Sequence, residues 1–202
     1  MNKELLDSSP VIAIIRGVKP AEAVGAASAM YNAGIRVIEV PLNSPLPFES
    51  IRLIAENFGD KMLVGAGTVL SCDDVQRVKD AGGEIIVSPN TNSVVIEKTK
   101  ALGMLSFPGI MTVSEAFAAV EAGADGLKLF PADVVGSSFI KAVKVVLPPG
   151  TKVFAVGGVN ADNMQSWLDA GADGFGLGSS IYKPGMTPDE IEKKCREVLA
   201  AL

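Results

Sequence analysis

Ala122-Gly123-Ala124-Asp125-Gly126-Leu127-Lys128-Leu129-Phe130 is the stretch on which the fold turns. Its first five residues recur at 170–174, each time closing a helical pattern and opening an apolar run. Such a repeat marks one strand–helix unit used more than once. The glycine is the local reason, since a helix commonly ends on a residue in the left-handed region, where glycine carries no Cβ penalty. Five helical patterns end this way, at Gly34, Gly82, Gly103, Gly123 and Gly171.

Working outward, apolar strand candidates lie at Val11–Ile15, Ile35–Val40, Met62–Ala66, Glu84–Val87, Met104–Phe107, Gly126–Phe130, Lys152–Val156 and Gly174–Leu177. Helical patterns alternate with them at Pro20–Asn32, Pro45–Phe58, Ser71–Asp80, Thr91–Ala101, Thr112–Glu121, Ser137–Val146, Asn160–Asp169 and Thr187–Leu202. Thr112 with Glu115, and Thr187 with Pro188 and Glu190, are helix-start signatures. Eight strand–helix units with right-handed crossovers predict an α/β fold, a single (β/α)8 TIM barrel over residues 1–202. An open doubly wound sheet is the alternative. At 202 residues the loops must be short and no second domain fits.

Composition excludes several functions. The formal charge is −5, from 18 basic and 23 acidic residues, and no basic patch with interleaved aromatics occurs, so nucleic acid is not an expected partner. No apolar run reaches membrane-spanning length and the first ten residues lack a signal-peptide core, which predicts a cytoplasmic protein with no membrane association. Cys72 and Cys195 sit in separate helical patterns and read as reduced structural thiols. The absence of histidine removes the commonest general base, the serine–histidine triads and nearly every zinc site. Asp73, Asp74, Asp125 and Asp133 read as helix-start and loop carboxylates, so no metal site is expected.

The chemistry then rests on a lysine in an apolar strand. Alternation puts Leu127 and Leu129 on one face and Gly126, Lys128 and Phe130 on the other. If the leucines meet covering helices, Lys128 points into the barrel, where a lysine is rarely placed without a function. The same alternation turns Val37 and Glu39 inward. Burial and the charge of Arg16 lower the lysine pKa, whereas Glu39 at ~4 Å and an effective dielectric of ~20 raises it by about 3 units. Amine and carboxylate together are what imine chemistry requires: one attacks a carbonyl, the other moves protons.

Barrels of this kind work at the carboxyl ends of their strands. There lie Arg16, the run Glu39 to Asn43, the Gly65-Ala66-Gly67-Thr68 turn and Ser88-Pro89-Asn90. After the seventh expected strand comes Val156-Gly157-Gly158, and after the eighth Gly178-Ser179. Glycine-rich turns at these two places are the usual phosphate site, their N–H groups facing the anion.

Six motifs together carry a resemblance over nearly the whole chain: Ile-Glu-Val-Pro-Leu-Asn-Ser-Pro at 38–45, Val-Gly-Ala-Gly-Thr-Val-Leu at 64–70, Ser-Pro-Asn at 88–90, Phe-Pro-Gly at 107–109, Leu-Lys-Leu-Phe-Pro-Ala at 127–132 and Val-Gly-Gly-Val at 156–159. They resemble the 2-keto-3-deoxy-6-phosphogluconate and 6-phosphogalactonate aldolases. The resemblance implies a metal-independent class I aldolase without a cofactor, on a (β/α)8 barrel and commonly a homotrimer. It implies Lys128 as the Schiff-base lysine and Glu39 as the acid/base, with Arg16 and Thr68 at the pyruvyl end. Pro89 and Phe130 would wall the pocket, and Gly157, Gly158 and Ser179, with the neighbouring Gly178, would take the phosphate. The chain departs from the gluconate-type pattern at Pro41 and Asn43, where that pattern has threonine and arginine, and at Val156, where it has threonine. Asn43 cannot clamp a carboxylate with two parallel bonds, which leaves that task to Arg16. These changes resemble the galactonate-type branch.

The expected reaction is cleavage of 2-dehydro-3-deoxy-6-phosphogalactonate to pyruvate and D-glyceraldehyde 3-phosphate. The nearest alternative is the C4-epimeric gluconate substrate, or both epimers. More distant alternatives are a phosphate-binding barrel isomerase and a phosphosugar-binding protein without turnover.

Overall fold

Strand and helix alternate as the repeat requires. In the computed structural model, which describes residues 2–202, the strands are β1 (Val11–Ile14), β2 (Val37–Pro41), β3 (Leu63–Gly67), β4 (Ile85–Val87), β5 (Leu105–Phe107), β6 (Gly109–Ile110), β7 (Leu127–Leu129), β8 (Val153–Val156) and β9 (Gly174–Leu177). Met1, which the expected domain includes, lies outside the described residues. All strand pairs are parallel, in the order β5-β4-β3-β2-β1-β9-β8-β7-β6.

Nine strands stand where eight were expected because Pro108 divides the fifth. Proline has no N–H to give a ladder, so the run breaks there. The barrel nevertheless comes around through it. The Ser106 carbonyl accepts from Asp125 N–H at 3.0 Å, and the Pro108 carbonyl accepts from Lys128 N–H at 2.9 Å. The fifth stave thus pairs with β4 through β5 and with β7 through β6.

The outer layer contains α2 (Pro20–Ala33), α3 (Pro47–Phe58), α4 (Cys72–Asp80), α5 (Ser93–Ala101), α6 (Val113–Glu121), α8 (Ser137–Val146), α9 (Met164–Asp169) and α10 (Pro188–Leu199). Two short helices escape the sequence patterns: α1 (Asn2–Asp7) and α7 (Ala132–Val135). Six and four residues are too few to display a helical period. The start of α9 is later than expected, since Asn160 N–H donates to the Asn163 side chain and Asp162 N–H to that of Asn160, a local turn that competes with helix. The capping boxes of Thr112 with Glu115 and Thr187 with Glu190 are both formed. All five helix-ending glycines have positive φ, from 71° to 113°.

The repeated aspartate closes the amino-terminal ends of the strands. Asp125 accepts from Ser106 N–H at 2.8 Å and from Lys100 Nζ at 2.6 Å. In the second copy, Asp173 accepts from Val153 N–H at 2.7 Å and from Lys144 Nζ at 2.5 Å. Each carboxylate satisfies a strand N–H that has no ladder partner and ties it to the preceding helix.

Two apolar layers result. Leu127, Leu129, Ile38, Val40, Ala155 and Phe175 belong to the core between strands and helices. Ile12, Val37, Leu63, Ile85, Phe107 and Phe154 fill the barrel interior, and Leu6 of α1 packs on them from below. Inside the barrel, large side chains need glycine opposite. A Cβ on Gly126 would overlap the Phe107 ring, and one on Gly174 the Phe154 ring. The amino-terminal half is therefore solid, and the space opens only toward the carboxyl ends.

Candidate active site

Lys128 sits on the interior face of β7, in register with Gly109 of β6 and Phe154 of β8. It is 7% exposed, and its Nζ lies 4.6 Å from the centroid of the Phe130 ring. Glu39 is 1% exposed, on the interior face of β2 beside Gly65. Its carboxylate fits because Gly67 lacks a side chain: a Cβ there would overlap both carboxylate oxygens. Glu39 Oε2 is buried without a hydrogen-bond partner in the protein.

Burial dominates both titrations. It raises Glu39 to about 7, against the attraction of Lys128 and Arg16 and a hydrogen bond from the Gly67 backbone. It also lowers Lys128 from the ordinary lysine value, where Glu39 acts upward and Arg16 downward. Each group is thus moved toward its neutral form, as expected where desolvation outweighs an ion pair. An amine shifted toward its neutral form, beside a carboxyl group that titrates near neutrality, suits attack on a carbonyl and relay of a proton.

A cleft of about 580 Å³ opens above Lys128. Of the residues singled out from sequence, Arg16, Lys128, Phe130, Val156, Gly157, Gly158, Gly178 and Ser179 line it. The turn after β8 has Gly157 at φ 108° and Gly158 at φ 69°, conformations that favour glycine, and Asp133 packs where a Gly158 Cβ would stand. After β9 the chain makes one tight turn in which the Gly178 carbonyl accepts the N–H groups of Ile181 and Tyr182, both at 2.9 Å. Both turns and Lys128 line the same cleft.

Glu39, Asn43, Thr68 and Pro89 do not line that wall. Asn43 is turned to Arg16, whose Nη1 donates to Asn43 Oδ1 at 2.5 Å. Thr68 has φ 59°, a left-handed conformation that is a genuine outlier for a β-branched residue. The Pro89 carbonyl lies against Gly109, with no room for a Cβ between them. Sequence reasoning missed Ile14, Val159, Asn160, Gly176, Ser180, Tyr182, Lys183 and Pro184 as site residues, and these complete the lining. Ile14 follows from strand alternation with Ile12. The run Ser180 to Pro184 carries no periodicity and is placed by tertiary contact, Pro184 packing on Gly17. The Ser180 Oγ is a second buried oxygen without a protein partner.

A parallel barrel with a buried amine and carboxyl at its carboxyl end, and two glycine turns on the same cleft, has the form of a barrel enzyme for a small phosphorylated substrate. The comparisons make this specific. The family model described as KDPG and KHG aldolase matches residues 3–195, and the chain belongs to that aldolase family, whose members are lyases acting on phosphorylated keto acids. It is 46% identical over 192 residues to a probable 2-dehydro-3-deoxy-6-phosphogalactonate aldolase of Rhizobium meliloti (strain 1021), covering 95% of this chain and 91% of that protein. It is 45% identical over 191 residues to the 2-dehydro-3-deoxy-6-phosphogalactonate aldolase of Escherichia coli (strain K12), covering 95% and 92%. A solved structure described as native KDPGal superposes with a TM-score of 0.93 at 44% identity, covering 95% of this chain and 93% of that one.

Proposed function

We propose that this chain cleaves 2-dehydro-3-deoxy-6-phosphogalactonate reversibly to pyruvate and D-glyceraldehyde 3-phosphate, by a class I mechanism that uses neither metal nor cofactor. The observation that carries the reading is the joint burial of Lys128 and Glu39 under a cleft bounded by two glycine turns.

Neutral Lys128 attacks the C2 ketone, and the carbinolamine hydroxyl takes up a solvent proton and leaves as water, leaving an iminium. Glu39 as carboxylate takes the C4 hydroxyl proton, the C3–C4 bond breaks, and its electron pair moves into the iminium to give an enamine. Glyceraldehyde 3-phosphate departs, Glu39 returns the proton to C3, and hydrolysis frees pyruvate and Lys128. A group titrating near 7 suits both halves of this relay, holding and releasing a proton at neutral pH.

Arg16 takes the substrate carboxylate, with Thr68 at the same pyruvyl end and Asn43 beside it. Phe130 and Pro89 bound the pyruvyl moiety. Gly157, Gly158, Gly178 and Ser179 take the phosphate through N–H groups and a hydroxyl. Val156 presents hydrocarbon to the sugar chain and so disfavours an epimer that needs a hydroxyl there. The similarity to proteins named for the galactonate substrate supports the same choice.

The working form is a cytoplasmic homotrimer. Leu46, Leu70, Met111, Val113, Phe130 and Val134, in the loops and helix starts that follow β2, β3, β6 and β7, are 37–69% exposed, an apolar surface that a second copy would cover. Among the described residues no helix is long and apolar enough to cross a membrane.

Borohydride reduction with pyruvate present tests the imine: a stable adduct on Lys128 is expected, and an adduct elsewhere or none overturns the mechanism. Rates of pyruvate release from the two C4 epimers, coupled to lactate dehydrogenase, test the substrate. A strong preference for the gluconate epimer would overturn the reading of Val156.

A further inference from the structure

Arg16 is exposed at the mouth of the cleft, where a long side chain has many rotamers, yet its guanidinium is held. Three contacts from other elements converge on the segment that carries it. Asn43 Oδ1 accepts from Arg16 Nη1 at 2.5 Å. Ser44 Oγ, in a side chain only 7% exposed, accepts from the Gly17 N–H at 2.9 Å. Pro184 packs against Gly17 so closely that a Cβ there would lie 2.8 Å from the proline Cγ. The loop after β2 therefore grips the loop after β1 at two successive residues, and the loop after β9 backs it.

We propose that Asn43 is a positioning residue, which acts on substrate only through Arg16 by holding the guanidinium over the cleft where it meets the carboxylate. The inference rests on the reading above that Arg16 takes that carboxylate. Several observations point the same way. The Asn43 oxygen is engaged by Arg16, and it is Arg16 rather than Asn43 that lines the cleft. Its oxygen, not its NH₂, faces Arg16, and an amide oxygen orients a guanidinium without neutralising it, which leaves the positive charge available to an anion. An aspartate here would form an ion pair and compete with the substrate for Arg16. The charge of Arg16 also acts on both Lys128 and Glu39, so fixing the guanidinium fixes one contribution to the balance between them.

A double-mutant cycle on the full-length protein separates the possibilities. Two readouts are used: KM and kcat for cleavage, and the pyruvate concentration giving half-maximal borohydride trapping on Lys128. Pyruvate carries the carboxylate but no phosphate, so the second readout isolates that end of the site. Arg16→Ala should raise the half-trapping concentration at least about tenfold, the scale of one charge-assisted hydrogen bond. Asn43→Ala should raise it about three- to tenfold with kcat changed less than about twofold, a loss of binding rather than of chemistry. In the Arg16→Ala background, Asn43→Ala should have no further effect. Losses that multiply would overturn the proposal, since Asn43 would then act on its own. An Asn43→Ala protein trapping pyruvate like the wild type while Arg16→Ala does not would overturn it as well. If Arg16→Ala itself binds pyruvate normally, the carboxylate reading of Arg16 fails and this proposal fails with it.

Discussion

The carboxylate of Glu39 occupies the volume that a side chain on Gly67 would fill. The two residues lie on neighbouring parallel strands, β2 and β3, and Glu39 is buried because Gly67 leaves it a slot. Gly67→Ala should therefore displace Glu39 while leaving Lys128 in place. The expected loss in kcat is about 10²-fold or more, the range of a positioned acid/base. Pyruvate should still be trapped on Lys128, because imine formation needs the amine first. Parallel kinetics and borohydride trapping check this. Equal loss of both would show that the substitution disturbs the barrel rather than the carboxylate.

Cleavage should depend on pH through the same carboxylate. Burial raises Glu39 to about 7, so below that pH it holds a proton and cannot accept one from the C4 hydroxyl. Lys128, lowered from its ordinary value, also gains neutral fraction as pH rises. Both effects have the same sign: kcat/KM should rise with pH through about 7, where Glu39 gives up its proton. The observed midpoint belongs to the pair rather than to either group. In Glu39→Gln the part of this limb near 7 should be lost together with most of the activity. A wild-type profile flat from pH 5 to 8 would contradict the assignment.

Thr68 stands in the left-handed region at the carboxyl end of β3, a strain of about 1–3 kcal/mol of the kind that clusters at functional sites. Thr68→Asn relieves it, since asparagine tolerates this conformation. The melting temperature should rise by about 2–4 °C, corresponding to ~1 kcal/mol in a chain of this size, while half-maximal trapping moves to higher pyruvate concentration. Calorimetry and trapping measure the two sides. A destabilised variant would show that the backbone strain is not relieved by this change.

The two repeated aspartates should matter for stability and not for rate. Asp125→Ala and Asp173→Ala each leave a strand N–H and a lysine without their acceptor. Each carboxylate is partly exposed, so the expected cost is about 1–2 kcal/mol, toward the lower end for charge-assisted bonds. Set in separate strands with separate lysines, the two should add in denaturant unfolding. A tenfold fall in kcat from either would place these carboxylates in the chemistry instead.

The apolar surface predicts its own test. Val134→Glu and Met111→Glu put charge on residues 69% and 46% exposed, so the isolated barrel should tolerate them. Sedimentation should then show a shift from trimer toward monomer. A species unchanged in mass would remove this surface from the interface.

Much of this was legible in particular residues. The Ala-Gly-Ala-Asp-Gly repeat and the helix-ending glycines announced a strand–helix unit because the left-handed conformation selects glycine locally. The leucines flanking Lys128 announced its direction because strand periodicity is a local property. Alternation gave the inward turn of Glu39 in the same way. The break at Pro108 could not be counted beforehand, since a proline interrupts a ladder without saying which neighbours each half retains. Nor could the roles of α1 and of the Ser180 to Pro184 loop, whose positions depend on distant partners.

The sequence by itself determined which residues face inward, where the helices stop and which functional groups exist, because these follow from backbone conformation and side-chain chemistry over a few residues. Only the tertiary structure decided that Glu39 fits the slot left by Gly67, that Asn43 faces Arg16, and that burial outweighs attraction in the Lys128–Glu39 pair. Those outcomes depend on excluded volume and on the removal of water, which arise when segments far apart in the chain are packed together.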